Sequence, residues 1–234
     1  MPHIEINDIN FYYEIHGSGD PIILLMGLGS NITSYKSIID NLAKEYKVIA
    51  LDNRGSGRSD MPDLPYSMDM MANDTLGLMD KLNIKKANIL GTSMGGRIAL
   101  ALVLSAPNRI KKIVLVSTFA NNGNKVKSSI TMKVFYLIKI LPIFKSRYSQ
   151  PHYAFLRQFK ATIDFDVLSR LSEIKLPTLI MHGKIDKTVP FKHAVELNSG
   201  IKDSSLISFS GGHLFFVRGE KQKFLRLVNS WLST

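Results

Sequence analysis

The sequence predicts an α/β fold with a mostly parallel sheet, and three observations carry that prediction. Near-continuous apolar runs recur along the 234 residues: PIILL (21–25), KVIALD (47–52), ANILG (87–91), KIVLVS (112–117), PTLIMHG (177–183) and SLISFS (205–210). Runs of this kind suit parallel strands covered on both faces. Segments with helical spacing separate most of them, and a strand–helix alternation is the signature of α/β architecture. At the N-terminus the pattern differs, because Ile4, Ile6, Ile9, Phe11, Tyr13 and Ile15 alternate with other residues around Asn7-Asp8. That is the period of two half-buried antiparallel strands joined by a tight turn, a hairpin at one edge of the sheet.

Each later element follows from its own spacing. PIILL runs into the turn Met26-Gly27-Leu28-Gly29, after which Tyr35, Ile38, Ile39 and Leu42 place a helix within Asn31–Tyr46. KVIALD is followed by the turn RGSGRSD (54–60) and by a helix over Ser67–Leu82 carrying Met70, Met71, Leu78, Met79 and Leu82. ANILG leads through a Gly-rich turn into a helix over Arg97–Leu104. SLISFS is the last strand, and Phe224, Leu225, Leu227, Val228 and Trp231 mark the closing helix. Helices are therefore expected on both faces of the sheet.

Between Thr118 and Ser172 the alternation stops, although the strands on either side should be neighbours. The sequence thus predicts a core domain of residues 1–118 and 173–234 with a short helical lid inserted at 119–172. Val134, Leu137, Ile138 and Leu141 give the first lid helix an apolar stripe suited to roofing a pocket or packing on the core.

Composition narrows the function classes. With 45% hydrophobic residues the chain can bury one sizeable core, and without cysteine it has no disulfide, thiol nucleophile or thiolate-bound metal. No ligand spacing for a metal occurs, and no cofactor is expected. MPHIEINDIN lacks the basic and apolar segments of a secretory signal, and VFYLIKILPIF (134–144) is too short and too interrupted to span a bilayer. A cytoplasmic location is expected.

The chemistry centres on Gly91-Thr92-Ser93-Met94-Gly95. A strand that turns sharply into a helix projects its turn residue into open space, which makes Ser93 a candidate nucleophile. Ligands in this architecture sit beyond the carboxyl ends of the strands. Asp186 follows PTLIMHG and His213 follows SLISFS, so both belong to that end. The imidazole of His213 can take the serine proton while the Asp186 carboxylate fixes its tautomer. His182 is read as a packing or hydrogen-bonding residue at a strand end, and His152 as a candidate for lining the pocket. Backbone N–H groups of Leu28 and Met94 are the candidate donors to a developing oxyanion. RGSGRSD is read as a structural turn rather than a phosphate loop.

With GTSMGG, Asp186, GGH ending at 213, LMGLG at 25–29 and DNRGSGRSD at 52–60 in that order, the chain resembles the α/β-hydrolase superfamily along nearly its full length. Its style is similar to small carboxylesterases, enol-lactonases and pimeloyl-carrier-protein methyl ester esterases. The resemblance implies an α/β-hydrolase fold with Ser93 as nucleophile, Asp186 as acid, His213 as base, and Leu28 with Met94 as oxyanion donors. Met26 departs from the pattern, since many members carry a histidine before this Gly. The lid is also shorter than in many relatives.

The formal net charge is +11, and residues 119–172 hold nine lysines and arginines against Asp164 and Asp166. A basic lid is a solvated face, or a docking surface for an acidic acyl-carrier protein or anionic acyl substrate, with Lys133, Lys139 and Arg147 as candidates. Contact with anionic lipid is a further reading. Nucleic acid is not expected, for no stacking platform accompanies the charge. The leading expectation is a serine hydrolase of carboxylic esters or thioesters acting on a small-molecule ester. The alternatives are enol-lactone or carbon–carbon bond hydrolysis by the same residues, and a non-catalytic ligand sensor on a hydrolase scaffold.

Overall fold

The computed structural model describes residues 3–122, 148 and 150–234. Strands β1 (His3–Ile6), β2 (Ile9–His16), β3 (Pro21–Leu25), β4 (Lys47–Leu51), β5 (Ala87–Thr92), β6 (Ile110–Val116), β7 (Thr178–Gly183) and β8 (Ser204–Phe209) form one sheet. Their order is β1-β2-β4-β3-β5-β6-β7-β8. β1 pairs antiparallel with β2, and β2 with β4, while β4 through β8 are parallel. The hairpin turns on Asn7 and Asp8, with φ of 52° and 59°. Two consecutive positive φ values match the right-handed twist of the flanking strands, and Asn and Asp tolerate them.

Alternation along each central strand splits the core in two. On β3, Ile22 and Leu24 face a layer containing Ile38, Ile39 and Leu42 of α1 (Lys36–Leu42). Ile23 and Leu25 face the opposite layer, with Leu78 and Met79 of α2 (Met68–Lys81) and Ile98 and Leu102 of α3 (Met94–Ser105). Two further helices, α4 (His152–Asp164) and α5 (Lys192–Gly200), pack on this second side through Ala161, Ala194 and Leu197. α6 (Lys221–Leu232) closes the first side with Phe224, Leu225 and Val228. Its Trp231 lies under the Lys112 ammonium, 5.2 Å from the ring centre. α2 starts where its cap dictates, the Ser67 hydroxyl accepting from the Met70 N–H. Such a cap is worth about 1 kcal/mol.

Three element boundaries differ from the sequence expectation. The helix expected within 31–46 is a 3-10 turn over Ile32–Tyr35 followed by the seven residues of α1. The chain turns at Ala43–Tyr46, whose carbonyls pack so closely on Gly17 that a Cβ there would lie 2.2 Å from the Ala43 oxygen. α3 begins at Met94 rather than Arg97, directly after Ser93. α5 has no counterpart in the expected elements; in KHAVELNSG only Ala194, Leu197 and a buried His193 face inward, too few for a clear stripe.

β6 and β7 pair directly, Ile113 beside Thr178, so the chain between them is an excursion that returns to the sheet. Arg97 on α3 anchors it at both ends. Its fully buried guanidinium donates to the carbonyls of Phe119, Asn121 and Phe165 and stacks 3.8 Å from the Phe119 ring centre. The apolar stripe expected at Val134–Leu141 lies outside the described residues.

Candidate active site

The strand order places β4 and β5 on opposite sides of β3, so the direction of winding reverses there. Crevices at such a reversal, beyond the carboxyl ends of the strands, are where α/β sheets take ligands. Leu28 follows β3, Ser93 follows β5, Asp186 follows β7 and His213 follows β8.

Ser93 has φ 52° and ψ −115°, a backbone conformation that costs on the order of 1–3 kcal/mol for a non-glycine residue. Its surroundings over-determine it. The Ser93 N–H donates to the Val116 carbonyl at 2.8 Å, and the Ser93 carbonyl accepts from Thr118 Oγ1 at 2.7 Å and the Gly96 N–H at 3.0 Å. The tightness of the turn explains the glycines. A Cβ on Gly95 would lie 1.9 Å from the Leu25 carbonyl oxygen, and one on Gly91 2.4 Å from that of Gly95.

His213 Nε2 lies 3.1 Å from Ser93 Oγ, and His213 Nδ1 lies 2.7 Å from Asp186 Oδ2. The other carboxylate oxygen of Asp186 accepts from the N–H groups of Thr188 and Val189 at 2.8 and 2.9 Å. His182, completely buried, brings Nε2 within 3.3 Å of Asp186 Oδ2 and 2.8 Å of the Val189 carbonyl. Burial by itself would raise the Asp186 pKa. The hydrogen bonds from His182 and His213, the charge of His213 and the Val189 N–H outweigh it and hold the carboxyl far below the usual range. Ser117 Oγ donates to the His213 carbonyl at 3.0 Å, which ties the histidine loop to the end of β6.

The turn after β3 passes directly beside the serine, a Cβ on Gly27 falling 3.5 Å from that of Ser93. Leu28 follows Gly27 in this turn, and Met94 follows Ser93 as the first residue of α3. Tyr35 joins the two segments. Its hydroxyl accepts from the Gly27 N–H at 3.3 Å and lies 2.5 Å from Thr92 Oγ1. Burial raises its pKa, so the phenol stays protonated. Met26 is buried, and its carbonyl accepts from Asn53 Nδ2 at 3.1 Å.

The structure therefore brings together Ser93, Asp186, His213, Leu28 and Met94. Lys133, Lys139 and Arg147 lie outside the described residues. Of the other basic residues in 119–172, Arg157 pairs with Asp63, Lys160 with Asp164 and Arg170 with Glu173. His152 is exposed at the start of α4. The 54–60 turn is built inward on Asp52, whose carboxylate accepts from the N–H groups of Ile32 and Arg58. Sequence reasoning did not reach Tyr35, Gln158 or the contact of His182 with Asp186. Only His182 carried a signal, a histidine four residues before the acid at a strand end.

The family described as alpha/beta hydrolase fold matches residues 20–135, and that described as serine hydrolase (FSH1) matches residues 80–219. The chain is 28% identical to a putative carbamate hydrolase, RutD, of Azorhizobium caulinodans, over 92% of each protein. It is 30% identical to the AB hydrolase superfamily protein YisY of Bacillus subtilis, over 94% of each. Among solved structures, an esterase from Exiguobacterium antarcticum superposes with a TM-score of 0.86 at 26% identity, covering 99% of both chains. Fold, strand-end geometry and these likenesses agree, and the chain belongs to the α/β-hydrolase superfamily.

Proposed function

We propose that this protein is a serine hydrolase that cleaves carboxylic esters through an acyl-enzyme. The observation that carries the reading is the unbroken series Ser93 Oγ, His213 Nε2, His213 Nδ1, Asp186 Oδ2, with links of 3.1 and 2.7 Å. His213 accepts the Ser93 proton as Oγ attacks the ester carbonyl, and Asp186 stabilises the imidazolium that forms. The N–H groups of Leu28 and Met94 receive the charge that develops on the carbonyl oxygen. Breakdown of the tetrahedral intermediate breaks the ester C–O bond, with the proton passing from His213 to the leaving alcohol. His213 then deprotonates water, which attacks the acyl-Ser93 ester and releases the acid.

A carbamate is a second substrate for the same residues, favoured by the likeness to the putative carbamate hydrolase over most of both chains. The nitrogen lone pair makes its carbonyl less electrophilic than that of an ester. The basic excess of residues 119–172 supports an anionic acyl group, or an acidic acyl carrier, as what the site receives.

Turnover of aryl esters graded from acetyl to decanoyl, and of an aryl carbamate, tests the reading. Ser93→Ala is expected to lower kcat by at least about 10⁴-fold. Ester turnover that survives Ser93→Ala, or a wild-type protein inactive on the whole series, overturns it.

A further inference from the structure

The turn after β3 is held by hydrogen bonds on either side of the Leu28 amide. Asn53 Nδ2 donates to the Met26 carbonyl at 3.1 Å, and the Gly27 N–H donates to the Tyr35 hydroxyl at 3.3 Å. The Gly27 carbonyl accepts from the Ser30 N–H at 3.1 Å. A trans peptide is rigid and its C=O and N–H point in opposite directions. Fixing the Gly27 carbonyl toward Ser30 therefore aims the N–H of the same peptide unit, that of Leu28, the other way. The next peptide is held differently. The Gly29 N–H donates to Gln158 Oε1 at 3.2 Å, across 129 residues of sequence.

Gln158 lies on α4, in the excursion between β6 and β7, and is completely buried. Its amide orientation follows from its partners. Nε2 donates to the Arg54 carbonyl at 2.7 Å and to Ser56 Oγ at 2.8 Å, which leaves Oε1 for Gly29 and for Gln150 Nε2 at 2.9 Å. Gly29 has φ +69°, and without a Cβ its backbone has little steric resistance to rotation. A hydrogen bond thus supplies the restraint that side-chain sterics provide elsewhere.

We infer that Gln158 is a positioning residue for the oxyanion hole: by holding the Gly29 amide it fixes the peptide plane that follows Leu28, completes the restraint on the Leu28 N–H and makes that geometry depend on the seating of α4. The inference rests on the proposed role of Leu28 and Met94. In this arrangement the core supplies Asn53, Tyr35 and Ser30, and the inserted segment supplies the remaining restraint. Full catalytic competence then requires α4 in place, whatever the acyl group.

The test compares an aryl ester with its thionoester, because the C=S sulfur accepts hydrogen bonds weakly and draws less from an oxyanion hole. Gln158→Met keeps the length of the side chain and removes both amide functions. It is expected to lower kcat on the ester by about tenfold with KM changed less than about twofold, and to shrink the ester-to-thionoester rate ratio by about fivefold or more. Gln158→Glu, which keeps an acceptor for the Gly29 N–H, is expected to recover most of the ratio. A purely structural role lowers both substrates equally, so an unchanged ratio in Gln158→Met overturns the inference. If Gln158→Met does not fold, Gln158→Asn, whose amide is drawn back by one methylene, carries the same expectation and the same refutation. A wild-type ratio near one removes the oxyanion hole itself. That outcome is distinct from failure of the coupling, which leaves wild-type discrimination high and indifferent to residue 158.

Discussion

Four donors converge on the Asp186 carboxylate: His213 Nδ1, His182 Nε2 and the N–H groups of Thr188 and Val189. Its folded pKa is depressed, so its contribution to stability is present above the ordinary value of about 3.9 and is lost as the pH falls through the lower folded value. The carboxylate that orients His213 therefore remains charged well into acid. His182 tunes it. Nε2 faces the Val189 carbonyl and so carries a proton, while Nδ1 is buried without a partner among the described residues. Removing this donor with His182→Phe leaves Asp186 more basic and a stronger partner for the imidazolium. The acid-side loss of stability, set by the depressed folded pKa of Asp186, is therefore expected to begin at higher pH in His182→Phe than in the wild type, read as Tm against pH. A stability profile whose acid side stays in place would show that His182 only fills space. Ser93, Asp186 and His213 were legible in the sequence because each follows a strand at the same end of the sheet. Tyr35 and Gln158 were not, because their roles arise from contacts across 57 and 129 residues that no local pattern encodes.

Among the elements, α3 links the two halves of the site, since it begins on the residue after the nucleophile and one turn later presents Arg97 to the excursion between β6 and β7. Burial pulls the Arg97 pKa down to about 9, so the guanidinium is still charged at neutral pH, and its two terminal nitrogens donate to backbone carbonyls. Arg97→Met leaves those carbonyls buried without a partner, at about 1–3 kcal/mol for each group left unsatisfied. The expected loss of at least about 3 kcal/mol corresponds to a drop of roughly 6–12 °C in Tm. Arg97→Lys should not restore it, because one ammonium cannot reach sites that a planar fork spans. Equal melting temperatures for Arg97→Met and the wild type would refute the clamp. The sequence showed the parallel strands as apolar runs because both faces of each are covered. It hid α5, whose inward face is partly a histidine paired with Glu196.

At the scale of the whole molecule, the +11 charge is unevenly spread, with nine basic and two acidic residues in 119–172. Three of the nine, Arg157, Lys160 and Arg170, are paired with acids, and most of the excess comes from the lysines and arginine before Tyr148. If that charge recruits an acidic carrier, reversing Lys133, Lys139 and Arg147 together should lower kcat/KM on carrier-linked substrate by at least about tenfold while small neutral esters change less than twofold, and added salt should mimic the effect. Equal losses on both substrates would argue against recruitment. Trp231 gives the molecule another property. It is the sole tryptophan in the chain, and it sits beside Lys112 at the start of β6, whereas the candidate site lies past the opposite ends of the strands. The indole emission is thus an optical probe separated from the chemistry by the length of the sheet, able to follow unfolding while substrate or inhibitor occupies Ser93.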